Sequence, residues 1–145
     1  MPHAETSTNH DAIRQEWIGR LNLLVSDIES WAKSLDWTAR RIDKSMKDSM
    51  IGPYKAPGLL LQKEFTRVIL DPISRTTPGS EGSVDIYLMP AFDDIASLYF
   101  YEGRWNLHDH LLNDEAVATV RDAQAKPLTR ETLAEVLDGM AQHAA

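Results

Sequence analysis

The chain has no cysteine among its 145 residues. That excludes disulfides, thiolate metal sites and cysteine nucleophiles, and it fits a reducing compartment, so a cytoplasmic location is expected. Long hydrophobic runs are also missing. The GLLL run at 58–61 is strand-sized, far short of the roughly 20 apolar residues of a membrane helix. The opening MPHAETSTNHD lacks Lys, Arg and an apolar centre, so it does not read as a secretory signal. No GxxxxGK(S/T), GxGxxG, HExxH or GxSxG pattern occurs, which leaves phosphate-loop, dinucleotide, zinc-protease and serine-hydrolase chemistry without a sequence signature. Gly79 and Gly82 in PGSEGS have no helix to open onto and read as a turn.

One sign of charge is scarce in one region. Residues 76–115 carry one basic and eight acidic groups, whereas residues 38–75 carry eight basic and four acidic. The net charge of −7 therefore splits into −3 (1–37), +4 (38–75), −7 (76–115) and −1 (116–145). Such a split predicts either two sheet regions that attract each other or a bipolar surface facing partners of opposite charge. Hydrophobic residues at 43% and charged residues at 26% are ordinary for a soluble globular chain. Its length suits one domain: residues 9–145 are expected to form it, behind a flexible stretch at 1–8.

Apolar residues at Ile13, Trp17, Leu21, Leu24, Ile28, Trp31 and Leu35 recur at helical steps. They predict one amphipathic helix over 9–35, entered through Thr8 and Asp11 as a capping pair. Trp37 to Met46 alternates weakly, as an edge strand does. Gly52-Pro53 and Pro57-Gly58 punctuate a loop, and strands follow over 58–64, 67–73 and 84–88. Pro72 puts the second of these at an edge or a bulge. Residues 110–128 read as a polar connection, and Thr129 caps a last helix carrying Leu133, Val136, Leu137 and Met140. The fold expected is α+β: a mostly antiparallel sheet of four to six strands with both helices on one face.

The most specific local signal is IASLYFYEGRWNLHD at 95–109. Glu102-Gly103 makes a two-residue hairpin turn, since Gly tolerates the positive φ such turns need. The register then pairs Tyr101 with Arg104, Phe100 with Trp105, Tyr99 with Asn106, Leu98 with Leu107 and Ser97 with His108. One side, Leu98, Phe100, Trp105 and Leu107, is expected in the core. The other, Tyr99, Tyr101, Arg104, Asn106 and His108, is expected in solvent as a partner-binding face, because Tyr and Arg are enriched in binding hot spots.

Three functions from different classes follow. The leading one is a non-catalytic interaction or accessory module that binds another protein through that sheet face, with no cofactor and no catalytic residue, as a monomer or a homodimer. The second is a small-molecule pocket between helix and sheet, lined by Trp17, Trp31, Phe100 or Trp105. The third is a metal-dependent hydrolase or nuclease. It would draw on Asp85, Asp93, Asp94, His108 and His110, with Asp71 and Glu64 as further acids, because hard and borderline divalent ions favour carboxylate and imidazole donors. HxH is a common accident, and no third ligand is set by spacing. Nucleic-acid binding would use Arg40, Arg41, Lys44, Lys47, Lys55, Lys63 and Arg67, with Tyr54 and Phe65 stacking on bases. The acidic pI near 5.1 weighs against it. The texture resembles that of small bacterial α+β proteins, a resemblance that transfers no residue roles.

Overall fold

The computed structural model describes residues 2–90, 93–109 and 125–144. Helix α1 (Pro2–Ser34) is followed by strands β1 (Thr38–Asp48), β2 (Gly52–Lys63), β3 (Thr66–Ser74), β4 (Ser83–Leu88), β5 (Asp93–Tyr101), β6 (Arg104–Asp109) and β7 (Lys126–Pro127), then by helix α2 (Arg130–Ala144). The strands form one antiparallel sheet in the order of the sequence, β1 through β7. The α+β architecture holds, with seven strands where four to six were expected.

Helix α1 follows from the apolar stripe: Trp17, Leu21, Leu24 and Ile28 are all buried. It begins at Pro2, earlier than the capping pair at Thr8 and Asp11 suggests. Its end is a Schellman turn: Trp37 N–H donates to Ala32 O (2.9 Å) and Asp36 N–H to Lys33 O (3.2 Å). Asp36 takes the left-handed position at φ 69° that glycine usually fills. This turn returns Trp37 to the core at 3% exposure. Helix α2 opens on reciprocal bonds, Thr132 N–H to Thr129 Oγ1 (3.1 Å) and Thr129 N–H to Thr132 Oγ1 (2.8 Å), as the expected Thr129 cap requires.

The core joins one side of the sheet to both helices. Leu59, Leu61, Val68, Leu70, Val84, Ile86, Ala96, Leu98 and Leu107 share that side by their pairing. They form one buried cluster with Trp17 to Ala32 of α1 and with Leu133, Val136, Leu137 and Met140 of α2.

The segment expected as a loop around Gly52-Pro53 and Pro57-Gly58 is strand. Its alternation changes phase where Gly58 and Leu59 are both buried, paired with Ile42 and Arg41; on β1 the neighbouring Arg40 and Arg41 are both exposed. A Cβ on Gly58 would stand 2.8 Å from Leu70 O and 3.2 Å from Ile42 Cγ1, so only glycine lets the strands come this close. Beyond that point the β1–β2 hairpin closes on α1. Ile51 is buried and accepts from Arg14, and Trp17 Nε1 donates to Tyr54 Oη at 3.0 Å. Asp48 shapes the hairpin's turn, with Oδ1 accepting from Met50 N–H (2.7 Å) and Ile51 N–H (3.1 Å) while Oδ2 accepts from Arg75 Nε (3.1 Å).

Among the described residues, the basic side chains of 38–75 that form ion pairs find acids in 38–75 or on α1, as in Lys44–Asp71, Arg75–Asp48 and Arg41–Glu29. No described helix is long and apolar enough to cross a membrane.

Candidate functional site

The β5–β6 hairpin has the register its sequence predicts, pair for pair from Ser97↔His108 to Tyr101↔Arg104. Glu102 (φ 56°) and Gly103 (φ 76°) form the turn, and both take the positive φ of the type I′ geometry that matches strand twist. The exposure of the two sides departs from expectation. Tyr101, Asn106 and His108, expected in solvent, are 7%, 3% and 2% exposed. Tyr99 is half-buried, and of the five only Arg104 is exposed.

These side chains sink because they satisfy one another. Asn106 Nδ2 donates to Tyr101 O (3.2 Å) and Arg104 O (3.1 Å), so its amide ties the hairpin's own backbone. The His108 ring meets Tyr99 edge-on at 4.9 Å between centroids, and its Nε2 lies 3.2 Å from Tyr101 Oη. Buried polar groups with partners carry little penalty. Alternation alone does not reveal such pairing, so the sequence reads the same residues as solvated.

The polar network extends across the sheet on this side. Asp71, Asp85, Ser97 and His108 are successive cross-strand partners on β3 to β6. Ser97 Oγ donates to Asp85 Oδ1 (2.8 Å), Tyr87 Oη donates to Asp85 Oδ2 (2.9 Å), and Lys44 Nζ stands 2.8 Å from Asp71 Oδ1. Burial, the hydrogen bond to Asp85, and the negative charges of Asp85 and Asp71 push the Tyr87 hydroxyl up to about 12. Ser97 and His108 are 3% and 2% exposed, so both sit inside this polar network rather than on its surface.

The expected metal set is not assembled among the described residues. No group of three or more His, Asp or Glu there could hold an ion. Asp85 and His108 flank Ser97 from β4 and β6, two strand spacings apart, or about 9–10 Å between backbones. The side chains of Asp93 and Asp94, and all of His110, lie outside the described residues. Of the two aromatics expected to stack on bases, Tyr54 is engaged with Trp17 and only Phe65 is exposed.

The side expected to be sealed in the core is partly open. Leu98 and Leu107 are buried, but Phe100 and Trp105 are only half-buried. Their rings meet edge-to-face at 5.3 Å, and the Arg20 guanidinium lies 4.1 Å over Phe100. Together with Trp31, Leu23, Leu24 and Leu128 they line a groove of about 820 Å³. One wall is the α1 stripe from Gln15 to Trp31; the other is the hairpin and Pro127-Leu128. Leu23 stands at the rim, 71% exposed. Arg20 is held by Glu16 (3.2 Å) and by Glu81 O (3.0 Å), which locks it against the ring.

Of the four aromatics expected around a helix–sheet pocket, the groove gathers Trp31, Phe100 and Trp105. Trp17 is buried beneath it at 1% exposure, 6.5 Å from the Trp105 ring. The sequence signal for the groove is Leu23, an apolar residue one step off the helical stripe and four residues after Gly19. No family model, curated protein or solved structure matches the chain.

Proposed function

We propose that the protein is a non-catalytic interaction module that binds a partner protein by accepting an amphipathic helix in the groove between α1 and the β5–β6 hairpin. The observation that carries this reading is the apolar trough beside Leu23, with Trp31, Phe100 and Trp105 turned into it. A large exposed leucine and aromatic rings are costly in water and favourable in a contact. The wall from Gln15 to Trp31 spans about 24 Å at the helical rise, which matches a helix of about four turns laid alongside α1, and helix-in-groove recognition uses such apolar anchors. Exposed Asp27 and Arg104 line the groove from α1 and the hairpin respectively, so a partner carrying both signs of charge along its apolar stripe is favoured. The chain's lack of cysteine supports a reducing, cytoplasmic setting.

The direct test is selection from a display library of amphipathic helices, followed by Leu23→Glu. Binders should be recovered, and the substitution should weaken them at least about tenfold while leaving the thermal midpoint unchanged. Failure to recover binders, or binders indifferent to Leu23, overturns the reading. If the groove instead captures only small apolar dyes, in a Leu23-dependent way, the small-ligand alternative takes its place.

A further inference from the structure

The turn between β2 and β3 holds the most exposed hydrophobic side chain in the described structure. Phe65 is 100% exposed, so every face of its ring meets water. The turn does not need an aromatic there, since the left-handed position is taken by Glu64 at φ 54°. Phe65 stands on the rim of a pocket of about 270 Å³ that it lines together with Trp37, Thr66 and Ala141, among others.

We propose that this knob and hole join two copies of the chain about a two-fold axis, Phe65 of each copy entering the pocket of the other. A two-fold contact requires one patch to be complementary to itself, and a projecting ring next to a ring-sized hollow meets that condition. The charges of the patch agree. Lys63 and Asp138 line the pocket with Glu64, and Arg67 follows one residue after Thr66. Lys63, Glu64 and Asp138 thus put both signs of charge at the pocket in a chain whose net charge is −7, with Arg67 on the other face of the strand. Among the described residues no ion pair joins any of the four to a neighbour; Lys63 Nζ reaches only Leu35 O, at 3.4 Å. In a two-fold contact each sign can meet the other across the axis, whereas the rest of the acidic surface repels. The patch shares no residue with the lining of the α1 groove, so the two proposals stand or fall separately.

Sedimentation velocity over a concentration series tests it. The native chain should show a monomer–dimer equilibrium, and Phe65→Ser should weaken it roughly a hundredfold or more, since two rings return to water. Because the Phe65 side chain is wholly exposed, that variant should keep its far-ultraviolet circular dichroism and thermal midpoint. Leu23→Glu should leave the dimer intact. The absence of native cysteine permits a second measurement: Phe65→Cys mixed with Ala141→Cys should give a mixed disulfide faster than either variant alone forms its own. A monomer at every concentration, dimerisation indifferent to Phe65→Ser, or no preference for the mixed disulfide overturns the proposal. So does a monomer that binds anionic lipid vesicles through Phe65, which would make the turn a membrane anchor instead.

Discussion

The two sides of the sheet are both buried in places, but by different physics. On the helix side, Leu59, Leu70, Ile86 and Leu98 are buried among other apolar groups of α1 and α2, and any hydrophobic residue of similar volume would serve there. On the opposite side, Ser97, Asn106 and His108 are as well buried, yet each is held by a particular donor or acceptor. The contrast teaches that low exposure does not identify a hydrophobic core. It also shows where each side should fail: one through loss of volume, the other through loss of a single partner.

The largest effect should come from Leu70→Ala, which empties a site 2% exposed on the helix side. About 2–5 kcal/mol of stability should disappear, measurable as a shift of the urea midpoint. Next is Ser97→Ala, which strips Asp85 Oδ1 of a donor at 2.8 Å and should cost about 1–3 kcal/mol. If Ser97→Ala costs nothing while Leu70→Ala behaves as expected, the polar network is not holding its side together and the contrast breaks.

The smallest effect is confined to alkaline pH. Tyr87 titrates near 10 when unfolded and is raised to about 12 when folded. The unfolded chain therefore gives up this proton first, and the stability linked to it is intact below pH 10 and lost as pH rises toward 12. Tyr87→Phe should flatten that part of the stability profile and leave neutral pH nearly untouched. A profile as steep in the variant as in the native chain would show that the hydroxyl beside Asp85 does not carry the change.

Much of the scaffold was legible in the residues. The stripe from Ile13 to Leu35 predicts α1 and its buried face, because helical spacing of apolar groups has few other solutions. Glu102-Gly103 predicts the β5–β6 pairing without error, because a two-residue turn leaves no freedom in register. The strand through Gly52-Pro53 and Pro57-Gly58 was not legible, since those residues ordinarily end strands. Here Gly58 is needed for a close approach to Leu70 O, a contact distant in sequence. Gly82 is similar: a Cβ there would lie 2.5 Å from Trp17 Cζ3, and nothing local in PGSEGS announces an indole.

Which side of the hairpin would be open was the least legible feature. Hydropathy sorts Phe100 and Trp105 inward and Asn106 and His108 outward. The outcome depends on how completely α1 covers the hairpin and on whether polar groups find partners. Leu23 and Phe65, each apolar and exposed, fall outside the apolar stripe of α1 and the alternation of the strands, and that mismatch is the sequence trace they leave.

The strand order has a kinetic meaning as well. From β1 to β6 each rung joins strands separated by at most eight residues, so these hairpins can zip one after another as a ribosome extrudes them, with little loop closure at each step. Helix α1 precedes the sheet in the chain, yet its indole at Trp17 must wait for Trp105, 88 residues later. For most of that interval the nascent helix carries its greasy stripe uncovered, a window in which a chaperone would find it.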